Sequence, residues 1–250
     1  MKGLVASNFR RIDKGLLLDI IIMIVCPMLI VLLGQLLNNL MIDDGYDVNE
    51  ITMNSLTQYS SVITKLFYVV IIFKYCGSAL CYVLVISGLD EVLKLSDSYK
   101  SSRKGFLTLI LVNAVALTVR MVSIFCIEGE FIVLSESLYA FVEFLLRIVL
   151  GASLFTLLRG NMDVLHSLGE DVAAYRNKTL SIGAAISFPL FGILKLADHF
   201  APEMPLVANL VGFVFVALAW IYTFVTYIRT YLCGREVTRI VSVVSEEVLT

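Results

Sequence analysis

The chain has 250 residues, is 59% hydrophobic and 16% charged, and has a mean hydropathy of +0.90 and a formal net charge of -2. Soluble domains sit near about 45–50% apolar and about 25% charged. This composition excludes a soluble globule, a disordered tail, a collagen-like repeat and a small disulfide scaffold, and the charge balance offers no nucleic-acid surface.

What is left is an all-α, polytopic bundle of transmembrane helices. A helix needs roughly 20 apolar residues to cross a hydrocarbon core of about 30 Å. Read in chain order, the first segment that qualifies is 16–37, with Asp19 one turn in and Pro27 near its middle. Its apolar run is too long for a cleavable signal peptide and lacks a small-residue cleavage site, so it reads as a retained anchor. The second segment, 64–86, carries Lys65 and Lys74; the third, 105–127, carries Arg120 and Asn113; the fourth, 138–158, carries Glu143 and Arg147. The fifth, 179–196, contains Pro189 and Lys195, and the sixth is 206–228. Prolines are tolerated in such spans where neighbours cover the freed carbonyls. These spans make residues 1–232 one six-span domain, followed by a tail, 233–250. Val237, Ile240, Val241, Val244 and Val248 recur along one face of that tail, which predicts an amphipathic helix. It either binds a partner or membrane surface, or extends the sixth span and packs on the chain's own loops.

Orientation follows from basic residues in the connections. Lys2, Arg10, Arg11 and Lys14 precede the first span. Lys94, Lys100, Arg103 and Lys104 lie in the second connection, Arg159, Arg176 and Lys178 in the fourth, and Arg229, Arg235 and Arg239 after the sixth span. The connections on the other side, 42–63, 128–137 and 197–205, hold no Lys or Arg and many acids. Both termini are therefore expected in the cytoplasm, and the chain in a cell (inner or plasma) membrane.

A threefold pattern runs through the spans. Lys14-Gly15-Leu16, Lys104-Gly105-Phe106 and Lys178-Thr179-Leu180 open the odd spans. Gly88, Asp90 and Val92, then Gly160, Asp163 and Val164, then Gly234, Glu236 and Val237 follow the even ones. This suggests three tandem two-helix hairpins, although basic residues and glycines at cytoplasmic helix ends would produce the same pattern without a repeat. The layout is similar to that of the mitochondrial carriers, but their Pro-x-Asp/Glu-x-x-Lys/Arg signature is absent: Pro27 is followed by Met28-Leu29 and Pro189 by Leu190-Phe191. The likeness is one of layout alone.

Ionisable residues inside spans are expensive and mark candidate sites. Lys65 and Lys195 lie at outer span ends and Asp19 lies near Lys14, so these three are expected to act as anchors. Lys74, Arg120, Glu143 and Arg147 are different. At about 1.5 Å per residue they share a depth band near the midplane, and Glu143 and Arg147, four residues apart, share a helix face. Two readings stand. Either Glu143 pairs with Lys74 or Arg147 in a network that fixes register, or the surplus positive charge lines an outward-facing cavity for an anionic solute or lipid head group. Asn113, Asn209, Thr118, Ser123 and Ser187 are expected to bond between helices.

The five cysteines, Cys26, Cys76, Cys81, Cys126 and Cys233, show no CxxC spacing, and the two histidines, His166 and His199, lie in different loops. No metal site, cofactor motif, phosphate loop or nucleophile elbow is present, so no enzyme is expected. The expected function is a permease-like or accessory membrane subunit. Its partner subunit or ATPase would dock at loops 89–104 and 161–177 or at the tail 233–250. The alternative is a self-sufficient carrier, or a protein binding an anionic solute or lipid, that uses the buried charge cluster.

Overall fold

The computed structural model describes residues 2–43, 61–125, 129–200 and 206–247. These form six α-helices: α1 (Lys2–Asp43), α2 (Ser61–Val92), α3 (Asp97–Phe125), α4 (Gly129–Ser167), α5 (Asp171–Phe200) and α6 (Leu206–Glu247). All six are long and apolar enough to cross a membrane, and no strand occurs among the described residues. The helices exceed their apolar runs. The 39 residues of α4 would span about 59 Å, roughly twice the hydrocarbon core.

Successive helices pack antiparallel in a ring, α1 beside α2 and so on around to α6, which returns to α1. The closest packing is between α4 and α5, between α1 and α2, and between α3 and α4; α6 is held more loosely on both sides. Contacts between hairpins are thus as close as contacts within them, and a division into three hairpins is not visible in the packing. Both termini lie at one end of the ring, where α1 and α6 meet through Asp13 and Thr238.

The overhanging ends belong to the core. Phe9, Leu89, Tyr99, Leu158, Leu165 and Val237 are buried together at the end carrying the termini, continuous with Leu16, Phe106, Leu154 and Phe188 nearer the middle. The tail is therefore no separate element: α6 runs unbroken past residue 233, and Val237, Ile240 and Val241 turn its apolar face onto this core. Val248 lies outside the described residues.

Two short turns at this end are closed by local chemistry. Ser96 accepts the Ser98 amide at 3.1 Å and so caps α3, while its own hydroxyl donates to Asp163 at 2.5 Å. Gly169, at φ +80°, ends α4: its amide donates to the His166 carbonyl, and the Glu170 amide to that of Leu165. This left-handed cap is one that glycine adopts without a Cβ penalty.

The residues of the threefold pattern do similar work at each occurrence. A Cβ on Gly88 would lie 2.6 Å from the Asn8 carbonyl oxygen, one on Gly160 2.4 Å from the Tyr99 ring, and one on Gly234 2.5 Å from the Asp13 carboxylate. The acids tie neighbouring helices, Asp90 to Arg103, Asp163 to Ser96 and Ser98, and Glu236 to Arg176. Val92, Val164 and Val237 are all buried. The helix approached is the hairpin partner in the first two cases. In the third it is α1, across the closure of the ring.

Candidate functional site

Away from the termini the ring is less filled. A cavity of about 620 Å³ opens there, bordered by residues of all six helices. Its inner part is made by Lys74, Tyr139, Glu143 and Arg147; Glu136, Lys195 and His199 lie further out, toward the end opposite the termini. Met23 and Pro27 of α1, Phe191 of α5 and Trp220 of α6 supply apolar wall.

Glu143 is the hub. Its Oε1 accepts from Lys74 Nζ at 2.9 Å, from the Tyr75 hydroxyl at 2.6 Å and from the Tyr139 hydroxyl at 3.1 Å. Its Oε2 faces Arg147 Nη2 at 3.4 Å, the i,i+4 contact. The two tyrosine oxygens are 2.7 Å apart, which joins α2 and α4 a second time. Arg147 lies 4.2 Å from the centre of the Phe191 ring, and Arg120 4.8 Å from that of Tyr139, both within cation–π range. Gly192 lets α5 approach α4 closely here, since a Cβ there would lie 2.9 Å from the Phe144 ring.

The four residues singled out from the sequence, Lys74, Arg120, Glu143 and Arg147, thus all border one cavity. Glu143 binds both Lys74 and Arg147, and among the described residues the cavity is bordered by four cationic side chains and two carboxylates. Tyr75 and Tyr139 complete the hub without having been singled out. Their signal was available, since Tyr139 lies one turn before Glu143 and Tyr75 follows Lys74.

Lys195 is exposed near the outer end of α5 and also borders the cavity. Other expectations need correction. Asp19 is no anchor beside Lys14. It is only 1% exposed, and its Oδ2 accepts from the Tyr227 hydroxyl at 2.6 Å and from that of Tyr82 at 3.2 Å. This carboxyl joins α1, α2 and α6 one turn below Met23, on the closed side of the cavity. Asn113 and Thr118 bond back to the Leu109 and Ala114 carbonyls of their own helix, as polar residues in helices can when no polar group faces them. Ser187 contributes its carbonyl, which accepts from Thr223 of α6 at 3.1 Å. The side chains of Ser123 and Asn209 lie outside those described, as does Cys126. Among the described residues, no three His, Cys, Asp or Glu side chains converge as metal ligands do.

Six apolar helices around a charged cavity define a multi-pass helical membrane protein. No protein-family model, curated protein or solved structure matches the chain.

Proposed function

We propose that the chain is a permease-like membrane protein whose central cavity receives an anionic solute or the anionic head group of an amphiphile. One observation carries this reading: among the described residues, Lys74, Arg120, Arg147 and Lys195 converge with Glu136 and Glu143 on one cavity bordered by all six helices. Cationic side chains gathered at one cavity can hold an anionic group, and the apolar wall suits a ligand with an apolar part. The packing supports a direction of access. The core is continuous at the end carrying the termini, whereas the cavity lies toward the other end. With the termini in the cytoplasm, as the basic connections indicate, the cavity lies toward the outer side of the membrane. The recurring glycine, acid and valine support a tandem origin for the hairpins α1–α2 and α3–α4.

The test is ligand binding by purified protein, screened with organic phosphates, carboxylates and anionic amphiphiles. Arg120→Gln and Lys195→Gln should each weaken binding at least fivefold and leave the Glu143 hub intact. Unchanged binding of every anion recognised by the native chain would refute the role of the cavity.

A reading as the membrane subunit of a larger assembly has its own observation. Val172 and Tyr175 are 74% and 69% exposed on the first turns of α5, beyond the apolar stretch that lipid would cover. A partner seated there would bury them. Val172→Ser with Tyr175→Ser should then release a co-purifying subunit; retention of that subunit would remove loop 161–177 from consideration.

A further inference from the structure

A second charged crevice, of about 450 Å³, lies where α6 returns to α1 at the end carrying the termini. Arg10 and Lys14 of α1 form one wall, Arg235 and Arg239 of α6 the other. Among the described residues, Asp13 lies between them as the one carboxylate bordering the crevice, and its Oδ2 accepts from Thr238 at 2.6 Å. At the same end Lys100 pairs with Asp97, Arg103 with Asp90 and Arg176 with Glu236. Among the described residues, none of the four crevice cations forms an ion pair with an acid. Positive charge is therefore concentrated at this gap between two helices.

The crevice also has a polarity gradient. Leu17 and Tyr231 border it on the side nearer the middle of the bundle. Beyond them α1 shows Leu18 and Ile21 on its outer surface, each 44% exposed. A ligand that fits both parts carries negative charge at head-group level and hydrocarbon below it. We infer that this crevice binds an anionic phospholipid, its phosphodiester held among Arg10, Lys14, Arg235 and Arg239 and its chains running down over Leu17 and Tyr231. Basic pockets between membrane helices recognise lipid head groups in this way. The site is independent of what the central cavity holds, because it lies at the opposite end and shares no residue with it.

The full chain in detergent is titrated with phosphatidylglycerol, phosphatidylcholine and inorganic phosphate, and bound lipid is counted by native mass spectrometry. Phosphatidylglycerol should be retained about tenfold better than phosphatidylcholine. About 1 kcal/mol per basic residue near the surface corresponds to about fivefold per charge removed. Arg10→Gln with Arg235→Gln should therefore cost about 25-fold. These side chains are exposed, so the variant should remain folded. Lys100→Gln with Lys104→Gln, on α3 at the same end, should change nothing. Equal retention of both lipids would overturn the inference, as would an equal loss in the α3 variant. Displacement of the lipid by millimolar phosphate would reassign the crevice to a free anion.

Discussion

Replacing Glu143 by Gln tests whether the hub holds the bundle together. The substitution keeps one carbonyl oxygen for Tyr75 and Tyr139 but removes the charge that faces Lys74 and Arg147. Breaking one side of a fully buried ion pair costs about 3–5 kcal/mol, because the other charge is left uncompensated. Here the Lys74 and Glu143 side chains keep 31% and 17% of their exposure and border a cavity wide enough for water. Exposed pairs are worth about 0–1 kcal/mol, and the hub lies between these limits, so Glu143→Gln should cost about 1–3 kcal/mol. Lys74→Met alone removes one cation and leaves Arg147 to balance Glu143, so its cost should be smaller.

The decisive quantity is the coupling. Unfolding by SDS in mixed micelles should show the double variant, Lys74→Met with Glu143→Gln, less destabilised than the sum of the singles by about 1 kcal/mol, within the range seen between membrane helices. Strictly additive effects, or a Glu143→Gln cost below about 0.5 kcal/mol, would refute the hub as a link between α2 and α4. The cavity would then owe its shape to apolar packing alone.

Three further outcomes follow from the packing. Gly88→Ala should cost about 1–3 kcal/mol by overpacking, since the new methyl would lie 2.6 Å from both the Asn8 carbonyl oxygen and Ile12 Cγ1. Gly212→Ala, with nothing within 4 Å, should be silent in the same unfolding assay. Tyr227→Phe should destabilise more than Tyr82→Phe, by about 1 kcal/mol against a few tenths, because its hydroxyl is 2.6 Å rather than 3.2 Å from Asp19; the reverse order would place the weight of that carboxyl on α2. A C-terminal fluorescent fusion should glow and a phosphatase fusion stay inactive, as cytoplasmic termini require; the opposite pair of results would invert the whole orientation.

The helices and their apolar stretches were legible in the sequence because composition dictates them: a run of some 20 apolar residues has few other places to go. The depth of Lys74, Arg120, Glu143 and Arg147 was legible for a similar reason, since a rise per residue turns position into height along the membrane normal. Height does not give azimuth. Asp19 was misread because its role depends on which way a helix is rotated, and in a helix apolar on every side no stripe of polarity records the rotation. Asn113 and Thr118 failed for the same reason: their heights were known, but not whether a polar neighbour faced them.

Asp19 shows the limit most clearly. Its partners Tyr82 and Tyr227 are 63 and 208 residues away, and they meet it because α6 returns to α1 and closes the ring. The same closure brings Gly234 against Asp13 and sets Arg235 and Arg239 across from Arg10 and Lys14. The recurring glycine, acid and valine were visible in the sequence, but the glycines lie inside the helices at close contacts rather than at helix ends. Yet the third glycine approaches α1 rather than its own hairpin partner, because α6 is the last helix and has two neighbours to satisfy. A recurring pattern in the chain can specify close local contacts, while the closing contact depends on which helices the ring brings together. Both polar features that the sequence left hidden, the Asp19 cluster and the basic crevice, lie on that closing contact.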